Sequence, residues 1–186
     1  MPLPESLVPR QRIHLRAITL EGWKRTDGLW DIEARLIDTK DHDYPLASGV
    51  RRSGDPVHDM LARVTIDRAF NIIEALVVSE RTPYPGGCDT IAPAYSELLG
   101  LNLVRGFRAA VLERFGEIRG CAHITELLLA LPTAAIQTMA SEVNEVEGLS
   151  PGAKPFQLDR CHALETSSET VRLYYPRWYA GADTEI

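Results

Sequence analysis

The chain has 186 residues, of which 45% are hydrophobic and 25% charged, and its net charge is −6 at pH 7. This composition is typical of a globular protein and excludes a disordered or low-complexity chain. The negative charge argues against non-specific binding to nucleic acid or to an anionic membrane surface. The first ten residues lack the apolar segment of a secretory signal, so we expect a cytoplasmic protein. The most apolar stretch, 124–139, is too short for a membrane span, which needs about 20 apolar residues.

The first half of the sequence alternates between apolar and polar residues, which is typical of antiparallel strands. Strands are predicted at 11–20 and 29–37, joined by a turn at Asp27-Gly28, and again at 60–66 and 70–78. In the return strand Trp30, Ile32, Ala34 and Leu36 face inward. Residues 40–55 are polar, which indicates a long loop, and His14 and His42 are expected at the surface.

The hydrophobic period changes after the loop at 83–87. Helices are predicted at 88–99, at 103–115 and from about 121 to a Gly- and Pro-containing end at 147–152, with Pro132 kinking or dividing the last one. A short strand is expected at 170–174. Strands followed by helices predict a single α+β domain, with an antiparallel sheet of about four strands and three helices on one face. Its parts are a hairpin at 11–37, a core at 54–146 and a tail at 152–186.

Four residues lie where one type of secondary structure gives way to another, namely His58, Cys88, Cys121 and His123. Thiolate and imidazole are ligands that zinc and iron prefer, so these residues are the predicted site of one divalent metal ion. Cys121 and His123 share a metal only if the cysteine precedes the helix and the histidine lies in its first turn. The alternative is that the cysteines are small buried apolar residues, because no Cys-x-x-Cys motif is present.

Four further residues are candidates for a role in this chemistry. Asp59 is a candidate catalytic residue that orients His58 or acts as a base, although it is equally compatible with a solvated turn. Tyr84 lies beside the Cys88 loop and is a candidate hydrogen-bond donor, or it simply packs. Cys161 and His162 are an alternative ligand pair, but a tail that covers the sheet explains them better.

The stretch from 54 to about 140 resembles iron–sulfur scaffold proteins of the IscU and NifU N-terminal type. The resemblance lies in Gly54-Asp55 before a strand pair, in Gly87-Cys88 at a helix start, and in Gly120-Cys121-Ala122-His123 before the last long helix. It implies a scaffold-like core and a metal position at these residues. The first cysteine of that family is absent here, and its last His and Cys are reversed and separated by Ala122.

A second resemblance covers nearly the whole chain. The stretches 27–34, 56–60 and 120–128 are similar to an uncharacterised family of bacterial proteins of unknown function. This resemblance is specific, but it implies no activity.

The preferred interpretation is a zinc- or iron-dependent lyase or hydrolase that acts on a small, aromatic or oxygenated metabolite. Three alternatives stay open: a non-catalytic metal or iron–sulfur carrier, an interaction module with structural cysteines, and a metal-free enzyme in which Cys88 or Cys121 is the nucleophile and His123 the base. The expected partner is a small-molecule substrate, a homo-oligomer remains open, and neither nucleic acid nor a membrane is expected.

Overall fold

The computed structural model describes residues 3–146, 154–155 and 157–181, and for residues 141–146 it describes the backbone alone. The chain forms two compact units, residues 1–138 and 139–186. The strands are β1 (His14–Lys24), β2 (Trp30–Lys40), β3 (Tyr44–Leu46), β4 (Gly49–Arg51), β5 (Pro56–Ile66) and β6 (Ile72–Arg81). The α-helices are α1 (Phe107–Phe115), α2 (Ala122–Val146) and α3 (Glu169–Tyr174), and 3-10 helices occupy Cys88–Leu98, Glu117–Arg119, His162–Leu164 and Pro176–Trp178.

The larger unit contains a four-stranded antiparallel sheet in the order β1-β2-β5-β6. This α+β architecture confirms the predicted sheet, and the predicted inward face of β2 is also confirmed because Trp30, Ile32, Ala34 and Leu36 are buried. The buried side of β5 continues this face with Met60, Ala62, Val64 and Ile66. The alternation of buried and more exposed residues in β2 continues beyond Leu36, so Asp38, two residues later, is also buried.

Helix α2 lies against this inner face along β1. Arg16 of β1 bonds to Glu126 of α2, and farther along a Cβ on Gly22 would lie 1.8 Å from Thr138 Oγ1. Strand segment 16–22 and helix segment 126–138 are both about 18–20 Å long, so the two elements run side by side between these contacts. Gly22 allows the close approach because it has no side chain.

Three local predictions differ from the structure. The stretch 170–174 is not a strand but part of helix α3, because the Ser168 hydroxyl accepts a hydrogen bond from the Val171 N–H and caps the helix. The predicted loop at 40–55 contains the hairpin β3–β4. The predicted helix at 88–99 is a 3-10 helix.

Helix α2 continues past Pro132, while its predicted end at 147–152 lies outside the described residues. Among the described helices, none combines the length and the apolar character needed to cross a bilayer.

Candidate metal centre

A buried carboxylate at the end of β2 organises the site. Asp38 is only 4% exposed. Its Oδ1 accepts hydrogen bonds from Arg16 Nε at 2.8 Å and lies 2.9 Å from His14 Nε2, while Oδ2 accepts from Arg16 Nη2 at 2.9 Å. Burial raises the pKa of this carboxyl, but the bonds with Arg16 and His14 outweigh burial and hold the pKa well below its usual range. Asp38 is therefore a carboxylate at neutral pH.

Two histidines converge on the other side of this carboxylate. His58 stands opposite Asp38 in the pairing of β2 with β5, and its Nδ1 lies 3.0 Å from Asp38 Oδ2. His123 is in the first turn of α2, and its Nε2 lies 3.6 Å from the same oxygen. The two imidazole rings stack with centroids 3.7 Å apart. Burial, together with the neighbouring His123, lowers the pKa of His58, so the neutral, metal-binding form is favoured there.

The separations of these three side chains match those of metal ligands. One ligand atom from each of Asp38, His58 and His123 lies within 4.8 Å of the other two, and these residues form the one such group among the described residues. In a tetrahedral zinc site with bonds of about 2.0–2.1 Å, ligand atoms lie about 3.3 Å apart. The distances of 3.0 and 3.6 Å from Asp38 Oδ2 to the two imidazole nitrogens bracket that value.

A cysteine lies on the far side of His123. Cys121 directly precedes α2, and its Sγ lies 3.9 Å from His123 Nδ1. Its backbone N–H donates to the Tyr95 hydroxyl at 2.8 Å. Burial raises the pKa of the thiol, but hydrogen bonds from the His123 ring and from the backbone N–H groups of Ile124 and His123 lower it below its usual value.

A salt bridge joins the sheet to the helix beside this site. Arg16 contacts both Asp38 on β2 and Glu126 on α2. Since Glu126 is three residues after His123, both project from the same face of the helix. Arg16 therefore connects the strand that carries the carboxylate to the helix turn that carries one imidazole. We call this carboxylate and the five side chains grouped around it the polar cluster, whose members are His14, Arg16, Asp38, His58, Cys121 and His123.

Comparison with known families gives one match. The model of a family described as a protein of unknown function (DUF2889) matches residues 14–137. The chain belongs to this family. The stretch shared with DUF2889 contains the whole polar cluster. No curated protein and no solved structure matches the chain significantly. The resemblance to an uncharacterised family is thereby supported over residues 14–137, whereas the resemblance to iron–sulfur scaffolds finds no support.

The structure brings together three of the four predicted metal ligands of this DUF2889 member. His58 and His123 stack, and Cys121 lies beside His123. Cys88 stands at the start of the 3-10 helix, where its N–H donates to the Tyr84 carbonyl, and it is not part of the metal-compatible group among the described residues. Its role as a ligand stays a prediction. Cys161 and His162 lie in the smaller unit, where Cys161 is exposed.

The two predicted catalytic residues lie in different surroundings. Asp59 follows His58 on β5, so its side chain projects from the opposite face of the sheet. There it accepts two hydrogen bonds from Arg35, at 2.8 and 2.7 Å. The carboxylate beside His58 is therefore that of Asp38. The side chain of Tyr84 is largely exposed.

Sequence reasoning missed the carboxylate and its two partners on β1. Every second residue of β2 faces inward, from Trp30 through Ile32 and Ala34 to Leu36. The same alternation extended by two residues places Asp38 on the inner face. The polar character of the following residues suggested instead that the strand had ended. On β1, Arg16 pairs with Asp38 of β2, and His14 pairs with Lys40. The side chains of Arg16 and His14 therefore lie on the same face of the sheet as Asp38.

Proposed function

We propose that this protein is a metal-dependent enzyme in which Asp38, His58 and His123 hold one zinc or iron ion. The observation that carries the proposal is the convergence of two imidazole nitrogens on one carboxylate oxygen, at 3.0 and 3.6 Å. Two histidines and a carboxylate are a donor set used by catalytic zinc sites and by non-haem iron sites. The proposed reaction is the lysis or hydrolysis of a small, aromatic or oxygenated metabolite.

The two oxygens of Asp38 support this assignment because they have different tasks. Oδ1 is bonded by Arg16 Nε and faces His14, which fixes the orientation of the carboxylate. Oδ2 accepts the second hydrogen bond from Arg16, through Nη2, and also faces both candidate imidazole ligands. Hydrogen bonds of this kind around a ligand raise metal affinity, and their loss typically costs about 10–100-fold. Binding at His58 Nδ1 would replace the hydrogen bond between this nitrogen and Asp38, and the single proton of the neutral imidazole would then lie on Nε2.

Three protein ligands leave a coordination position for water or substrate, which is typical of catalytic rather than structural sites. A metal bound there would act as a Lewis acid or lower the pKa of a bound water. The side chains themselves supply a fixed carboxylate and two imidazoles. The proposed substrate class rests on the apolar residues in the loops around the predicted ligands, and the proposal includes a possible homo-oligomer.

The proposal is tested by metal content. Untagged protein is loaded with Zn²⁺ or, without oxygen, with Fe²⁺, then desalted and measured by elemental mass spectrometry. We expect about one ion per chain in the wild type and a loss of that ion in D38N, H58A and H123A. The matched control is D59N, which changes an equally buried carboxylate with its own arginine partner on the opposite sheet face and is expected to keep the ion.

Two outcomes would redirect the assignment. A wild-type protein that retains neither metal after loading contradicts it. Iron accompanied by acid-labile sulfide would favour the carrier alternative, in which the site holds a cluster.

A second candidate function is favoured by the spatial arrangement of three side chains, in which His123 lies between Cys121 and Asp38. A thiol on one side of an imidazole and a carboxylate on the other is the arrangement of a nucleophile, its base and the group that orients the base. This alternative predicts that metal-free protein is alkylated by iodoacetamide at Cys121 faster than at Cys88, and that H123A slows the reaction at Cys121 alone. Equal rates at the two cysteines would contradict it.

A further inference from the structure

The imidazole of His123 lies between a sulfur and a carboxylate. Cys121 Sγ is 3.9 Å from Nδ1, and Asp38 Oδ2 is 3.6 Å from Nε2. A neutral imidazole carries its proton on only one nitrogen, so one neighbour receives a hydrogen bond and the other faces a lone pair. Which nitrogen carries the proton decides what His123 can do.

The position of Cys121 is fixed independently of His123. Its backbone N–H donates to the hydroxyl of Tyr95, a residue only 1% exposed whose ring packs 4.6 Å from that of Phe115. Its carbonyl accepts the Thr125 N–H at 2.8 Å, as in the first turn of a helix. The backbone of Cys121 is therefore held on both sides, in the position from which its sulfur lies 3.9 Å from Nδ1.

The surroundings of the sulfur make it an acceptor. The backbone N–H groups of His123 and Ile124 also face it, as expected at a helix N-terminus. On the other side of the ring, 3.6 Å exceeds the usual N–H···O distance of about 2.7–3.2 Å. The Nδ1 proton thus has a suitable acceptor, whereas a proton on Nε2 lacks one at bonding distance.

We infer that Cys121 is a positioning residue that accepts the Nδ1 proton of His123 and thereby presents the Nε2 lone pair to the site, without itself being a ligand. The part of this inference that concerns the metal rests on the proposed function. The part that concerns the imidazole tautomer does not. The inference gives Cys121 a positioning role, whereas the sequence predicted that Cys121 is itself a metal ligand. The two roles give different spectra.

The tautomer is measured in metal-free protein by two-bond ¹H–¹⁵N correlation NMR of the histidine rings, at a pH where His123 is neutral. We expect the Nδ1–H form in the wild type, a shift toward the Nε2–H form in C121A, and recovery of the Nδ1–H form in C121S, whose hydroxyl can also accept. C88S is the control and is expected to leave the His123 signals unchanged. An Nε2–H wild type, or a tautomer unchanged in C121A, overturns the inference.

The direct-ligand alternative is tested with Co²⁺. We expect wild-type protein to bind one Co²⁺ without the near-ultraviolet sulfur-to-cobalt charge-transfer band, and C121A to bind it about 10–100-fold more weakly. A charge-transfer band that disappears in C121S would show that Cys121 is a ligand and overturn the inference. Failure of the wild type to bind Co²⁺ would count against the proposed metal function alone, because the NMR experiment still decides the role of Cys121.

Discussion

Replacement of Arg16 by methionine tests how much the arginine contributes to the stability of a fold that buries the Asp38 carboxylate. The side chain of Asp38 is 6% exposed, and Arg16 supplies two of its hydrogen bonds at 2.8 and 2.9 Å. Hydrogen bonds to charged groups contribute about 1.5–3 kcal/mol each, and breaking a buried pair from one side costs about 3–5 kcal/mol. Because the Arg16 side chain is itself 29% exposed, water reaches part of the vacated space. We therefore expect R16M to lower the free energy of unfolding by about 2–3 kcal/mol.

The assay is urea unfolding at neutral pH in the presence of a chelator, with unfolding monitored by tryptophan fluorescence. R12M is the matched control, because Arg12 also makes two hydrogen bonds to one aspartate, Asp41, at 2.7 and 3.1 Å. The side chain of Arg12 is 64% exposed, so we expect R12M to leave the unfolding midpoint unchanged within error. If R12M and R16M lowered the free energy of unfolding equally, burial of the carboxylate would not determine how much each arginine stabilises the protein, and the argument would be refuted.

Three further outcomes are expected. G22A should lower the free energy of unfolding by about 1–3 kcal/mol because its Cβ would overlap Thr138. T138A in the same chain should restore only part of the loss, because the Thr138 Cβ that alanine keeps would still lie 2.6 Å from the new Cβ; equal losses in the single and double variants would contradict the contact. Acid should destabilise the protein, because the lowered pKa values of His58 and Asp38 mean that the unfolded chain binds more protons below about pH 6.5 and again below about pH 4. Urea unfolding at several pH values should show a shallower dependence below about pH 4 in D38N than in the wild type, because the Asp38 contribution is then absent. Zinc at 100 times its dissociation constant should stabilise the wild type by about 2.7 kcal/mol, seen as a shift in thermal unfolding that is absent in H123A.

The sheet could be predicted from the sequence because its hydrophobic pattern is regular. In β2, every second residue from Trp30 to Leu36 is buried. The helix at 122–146 also follows from its apolar spacing, with Ile124, Leu127, Leu128, Leu131 and Ala135 all buried. Short elements carry weaker signals. The stretch 170–174 contains residues compatible with a strand, and the Ser168 cap made it a helix.

The site could be predicted only in part, because it depends on contacts between distant residues. His58 and His123 were recognised as metal-ligand types at the ends of elements, and the structure stacks them. Asp38 was missed because strand ends are the least certain part of a periodic pattern. The partners of a buried carboxylate are set by strand register, which no local motif encodes.

The way the polar cluster is assembled has a consequence for folding kinetics. Arg16 and Glu126 are 110 residues apart in sequence, and the residues between them include the other three strands of the sheet and helix α1. Contacts of such high sequence separation form late, since chain closure must precede them. The three candidate ligands therefore meet only when the sheet has formed and α2 has docked on it. A metal that needs all three will bind after the rate-limiting folding step, so it should slow unfolding and leave the refolding rate nearly unchanged.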